Sequence, residues 1–172
     1  MEKQDLLEVW LRGPIQDIPP LLQPVAHAIL QAQEELNALD KPFPTRLIWQ
    51  KPAGVASIGF HLQHLRGVLD RLFTYARNES LNEIQLDYLR HEGVPPFAGC
   101  TFKDLISTFN EQIELAVDQL KNTDEKTLTH VCMVGRGQIP STHLGLLFHA
   151  AEHVQRHVGQ VLVTSKVLLN EH

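Results

Sequence analysis

Hydrophobic and polar positions along this chain alternate with a helical period over four long stretches. Leu22, Val25, Ile29, Ala32 and Leu36 recur every three or four residues, which predicts a helix over about Pro20 to Leu39. Pro19-Pro20 suits its start, because the missing proline N–H would be unpaired in a first turn anyway. Pro42 and Pro44 stop it. Ile58, Leu62, Leu65, Leu69, Leu72 and Ala76 form the apolar stripe of a second helix, about Ala53 to Arg77, with Asn78 as its stop. Leu105, Ile106, Phe109, Ile113, Val117 and Leu120 mark a third, about Thr101 to Leu120. A fourth starts from a cap at Ser141 or Thr142 and reaches about Leu169.

Shorter pieces fill the gaps. Gly13-Pro14 ends a brief N-terminal helix around Asp5 to Leu11. Ser80-Leu-Asn-Glu83 reads as a capping box opening a helix that ends near His91. The β-like run Leu128 to Val134, before Gly135-Arg-Gly137, predicts an extended segment or a short strand. The pattern is that of an all-α protein, a four-helix bundle with short additional helices, in one domain spanning residues 1–172.

The fourth helix is apolar on more than one side. Leu144, Leu147, Ala151, Val154, Val158 and Leu162 form one stripe, and Leu146, Ala150, His153, His157 and Gln160 fall on roughly the opposite side. A helix facing water there would carry Lys and Glu. One side is expected in the bundle core, the other against a partner subunit or a further helix. Buried imidazoles need partners, because an unpaired buried polar group costs about 1–3 kcal/mol. A metal ion satisfies several at once.

His149, His153 and His157 stand four residues apart, one above the other on a helix surface. Two imidazoles so placed reach one metal ion, as in helical zinc proteases. His61 and His64 on the second helix offer a third nitrogen. Periodicity places His61 nearer the centre of the apolar stripe and His64 beside it, and leaves both open as the third ligand. A three-histidine site keeps open coordination positions, which suits reactivity rather than structure.

Composition narrows the classes. A net charge of -5 gives no basic field for nucleic acid or anionic membrane, and the few aromatic residues do not interleave with Lys or Arg. Cys100 and Cys132 form no CxxC, so thiolate zinc ribbons and thioredoxin-like chemistry are excluded, and two free thiols are expected. The N-terminal residues have no secretory h-region, and no apolar run reaches the roughly 18 residues of a spanning helix. A cytoplasmic protein is expected.

Ser57-Ile-Gly-Phe-His-Leu-Gln-His64-Leu, followed by Leu69-Asp-Arg-Leu-Phe-Thr-Tyr-Ala76, resembles the second helix of the DinB/YfiT-like family of metal-dependent enzymes. His149-Ala-Ala-Glu-His153-Val-Gln-Arg-His157-Val-Gly-Gln160 is similar to that family's terminal-helix motif, two histidines four apart before a Gly-Gln pair. The resemblance covers most of the chain. It departs at Val158, where the family usually has a basic residue. It implies an up-down-down-up four-helix bundle, often homodimeric, with a divalent metal on His64, His153 and His157. The spacing after Ser57 selects His64 over His61. Some relatives use a low-molecular-weight thiol cofactor in S-transfer or isomerisation, and others look like hydrolases.

The expected function is therefore a metal-dependent thiol S-transferase or hydrolase acting on a small molecule. Nitrogen ligands without a carboxylate favour zinc or nickel. His149 and His61 are candidates to orient a ligand or act as a base. Arg71 and Tyr75 are read as a solvated arginine and a core tyrosine rather than anion binders. His27, His91, His130, His143 and His172 have no partner at metal spacing. The alternative is a non-catalytic metal-binding or dimeric interaction protein.

Overall fold

Residues 7–39 and 43–170 are described by the computed structural model of the chain. Its helices are α1 (Gln23–Asn37), α2 (Ile58–Ala76), α3 (Glu83–His91), α4 (Phe102–Lys121) and α5 (His143–Asn170). A hairpin of β1 (Val131–Val134) and β2 (Ile139–Thr142) precedes α5, with Val131 opposite Thr142 and Val134 opposite Ile139. The architecture is the all-α bundle that the periodicity predicts.

The helix boundaries follow local chemistry. Prolines 19 and 20 open a 3-10 turn at Pro20–Leu22 that feeds α1. The second helix starts later than its hydrophobic pattern suggests. Pro52–Gly54 is a separate 3-10 turn, and the Ser57 hydroxyl then caps α2 by accepting from the Phe60 N–H. Thr101 and Asp104 form a reciprocal capping box on α4. The expected box at Ser80 and Glu83 is displaced by two residues. Asn82 accepts from the Gln85 N–H, and Gln85 accepts in return from the Asn82 N–H. The Gln85 amide also donates to Asp70 and Thr74 at 2.8 Å each, so this box is tied to α2 and the Ser80 one is not. Near the N-terminus the described residues form a 3-10 turn, Val9–Arg12, and Leu7 and Glu8 before it are not helical; of the short helix expected there, Asp5 and Leu6 lie outside the described residues.

Four long helices enclose the core. Helix α2 packs between α4 and α5, and α1 packs between the same two, so α1 and α2 face each other across the diagonal. Contacts along the helices fix their directions. The Gln119 amide near the end of α4 donates to the Phe73 carbonyl near the end of α2, so these two run parallel. The backbone before α1 meets Glu125, just after α4, so α1 runs opposite to α4. Cys132 in β1, paired with the β2 strand that leads into α5, lies against the Ala76 carbonyl at the end of α2, so α5 returns alongside α2. The order is up-down-down-up. Leu22, Ile29, Leu62, Leu69, Phe109, Ile113, Val154 and Val158 are fully excluded from water at its centre. Cys100 and Cys132 are buried free thiols. Among the described residues no helix is long and apolar enough to cross a membrane.

Candidate metal centre

The site lies where the first turns of α2 pass the middle of α5. The i,i+4 spacing puts His153 and His157 on the face of α5 turned to α2, each half-buried. On α2, His64 reaches between them. Its Nε2 stands 3.0 Å from the Nε2 of His153. One ring nitrogen from each of His64, His153 and His157 lies within 4.8 Å of the others. The Phe60 ring stacks on His64 with centroids 5.4 Å apart, walling one side of the cluster.

His61 is buried and sits outside this triplet. Its Nδ1 is 2.8 Å from the Nδ1 of His157, so one ring donates and the other accepts. That contact leaves the Nε2 of His157 uncommitted. His149 is half-exposed, paired with Glu152 at 2.6 Å and set edge-on to the His153 ring. It also belongs to a group with Glu152 and His153 whose ligand atoms lie within 4.8 Å.

A carboxylate absent from the sequence reading completes the site. Glu92, just beyond α3, accepts from His64 Nδ1 at 2.6 Å with one oxygen and from the Arg71 guanidinium at 2.6 Å with the other. Its side chain is only 4% exposed. Arg71 is thus buried in an ion pair, correcting its expected role as a solvated residue, whereas Tyr75 does pack partly buried against the core. Three features hold Glu92 in place. Gly67 leaves the space that the Glu92 and Arg71 ends occupy. Gly93 takes the left-handed φ of 93°, which turns the chain sharply after Glu92. The Gln63 amide accepts from the Gly93 N–H and donates to the Val94 carbonyl, fastening the turn to α2.

The electrostatics favour neutral imidazoles. Burial lowers the pKa of His61, and a charge on His64 would lower it further. Burial also lowers that of His153, with His64 and His149 adding to it. His157 is pushed down to about 4 by burial and by its histidine neighbours. Burial would raise the Glu92 carboxyl, but the hydrogen bonds from His64 and Arg71 and the arginine charge outweigh it and hold it low. Neutral rings keep a lone pair each, which is the form that binds a metal.

These residues fit a divalent ion. Two nitrogens each about 2.0–2.1 Å from a shared tetrahedral zinc stand about 3.3 Å apart, close to the 3.0 Å between His64 and His153. The Nδ1 of His153 is buried with no partner among the described residues, so its ring is held by packing and by whatever meets its Nε2. Of the remaining histidines, His27, His91 and His143 make local contacts to the Gly13 carbonyl, the Asp87 carbonyl and the Thr127 hydroxyl. His130 is exposed, and His172 lies outside the described residues.

The model of the DinB superfamily matches residues 28–161, which include every residue of this cluster. The chain belongs to the DinB superfamily. A crystal structure of a conserved protein from Enterococcus faecalis is similar in fold, with a TM-score of 0.64 over 87% of this chain and 97% of that one, at 16% identity. No curated protein matches the sequence. In this DinB bundle the histidine groups are ones that could hold a metal ion.

Proposed function

We propose that this DinB protein is a metal-dependent enzyme that holds zinc or nickel on His64, His153 and His157 and acts on a small molecule by thiol S-transfer or hydrolysis. The observation that carries the reading is the convergence of three imidazoles from two helices, with Nε2 atoms of His64 and His153 at 3.0 Å. A bound ion would supply an open position at which water or a low-molecular-weight thiol loses its proton near neutral pH.

The protein's own residues prepare that chemistry. His61 orients His157 through their Nδ1 contact. Phe60 shields one side of His64 from water. Beside His61 opens a mostly apolar cleft of about 740 Å³ lined by Val55, Arg156, Gly159, Gln160, Val163 and Thr164. Its size suits a small molecule, and Arg156 at its edge offers a positive charge, shared with Glu152 at 2.8 Å.

The test is elemental analysis of untagged protein, wild type and His157→Ala. About one divalent ion per chain, lost in the variant, supports the site and justifies screening thiol-dependent and hydrolytic substrates. A wild type that takes up neither zinc nor nickel removes the reading. The second reading is a dimeric interaction protein without catalysis. It draws on Phe148 and Val163, both more than 60% exposed on α5, the second at the rim of the same cleft. A homodimer in sedimentation that is broken by Val163→Glu, in protein that binds no metal, would favour it.

A further inference from the structure

We propose that Glu92 is a positioning residue that sets the tautomer of His64, and that Arg71 decides which atom of residue 92 faces the imidazole. The proposal rests on the metal-site reading for its consequence, but the tautomer itself is a property of the metal-free protein.

A neutral imidazole carries one hydrogen on either Nδ1 or Nε2. The Nδ1 of His64 lies 2.6 Å from Oε2 of Glu92, and an ionised carboxylate only accepts. Nδ1 therefore carries a hydrogen, and in the neutral ring the lone pair is on Nε2, the atom 3.0 Å from His153. Without Glu92 the hydrogen is free to sit on Nε2, where it would point at the space a metal must occupy. Outer partners of this kind fix ligand orientation, and their loss typically costs 10–100-fold in metal affinity.

Arg71 adds a second condition. Its guanidinium donates to Oε1 of Glu92 and has no acceptor to offer. In an isosteric Glu92→Gln variant the amide oxygen must turn to Arg71. The amide NH2 then faces His64 Nδ1, which can only accept from it. The variant does more than remove a charge: it forces the hydrogen onto Nε2. The recess at Gly67 and the Gln63 clamp leave residue 92 little room to escape this choice.

The geometry thus predicts a rescue. Replacing Arg71 as well, in Arg71→Met/Glu92→Gln, frees the amide to present its oxygen to His64 and restores the wild-type tautomer. Two measurements decide. Long-range nitrogen–proton NMR of the metal-free proteins should find His64 protonated on Nδ1 in wild type, on Nε2 in Glu92→Gln, and on Nδ1 again in the double variant. Zinc affinity, measured by competition with a chromophoric chelator, should fall about 10–100-fold in Glu92→Gln and recover at least tenfold in the double variant. A purely structural Glu92 would make the double variant bind worse than the single one. That result, or an unchanged His64 tautomer in Glu92→Gln, overturns the proposal. Should wild type bind no zinc, the metal reading falls, and the NMR comparison still decides the role of Glu92.

Discussion

Two glycines on facing helices show how much a single methyl group can decide. A Cβ on Gly67 would meet the Arg71 guanidinium at 2.5 Å, inside the buried pair with Glu92. Gly67→Ala should cost about 1–3 kcal/mol through overpacking, read from urea unfolding, and should weaken zinc binding by moving the carboxylate off His64. Gly159 on α5 has open space around it. Gly159→Ala should stabilise the protein by about 0.4–1 kcal/mol, because alanine loses less backbone freedom on entering a helix. If both alanines behave alike, the crowding argument at Gly67 fails. At this scale the histidines were legible and Glu92 was not. Histidines four apart on a helix announce a shared face, and the family resemblance selected His64 over His61. Glu92 sits in a turn without periodicity, 28 residues from the ring it contacts.

Among the elements, helix ends separate what sequence patterns can and cannot say. Ser80-x-x-Glu83 and Asn82-x-x-Gln85 are both plausible capping boxes by composition. Only the second finds further partners on α2. Asn82→Ala should therefore cost about 1 kcal/mol, and Ser80→Ala should be neutral within error in the same unfolding assay. Equal losses would mean the helix frays between the two. Strand β2 escaped notice because Ile139-Pro-Ser-Thr142 lacks an apolar alternation and contains a proline, tolerated in a two-stranded ribbon where one edge is free. The start of α5 carries a pH dependence. Burial lowers the pKa of His143, although its contact with Thr127 opposes this, and its Nε2 is buried without a partner among the described residues. The unfolded chain binds that proton more readily than the folded one. The stability His143 contributes is full above about pH 6.5 and is lost as pH falls from there toward its lowered folded value. Metal-free His143→Asn should lose less stability than wild type between pH 7 and pH 5, and parallel curves would exclude the effect.

For the whole molecule, the cluster ties α2 to α5, the most extensive helix pairing in the bundle. An ion that binds only the folded chain should stabilise it by about 2.7 kcal/mol at a hundredfold excess over its dissociation constant. Thermal unfolding with zinc or nickel against chelator should show that shift in wild type and none in His157→Ala. The four-helix plan was readable because each long helix has its own stripe. The up-down-down-up order was not, because stripes carry no direction; resemblance supplied it, and the contacts of Gln119, Glu125 and Cys132 show it. The same order has a consequence for biosynthesis. His64 and His153 are 89 residues apart, and α5 leaves the ribosome after α1 to α4. A nascent chain carrying only α1 to α4 holds one member of the triplet and cannot chelate an ion. On the three-histidine reading, capture of zinc or nickel would wait until the bundle is ready to close, and chains terminated before α5 would hold no complete site.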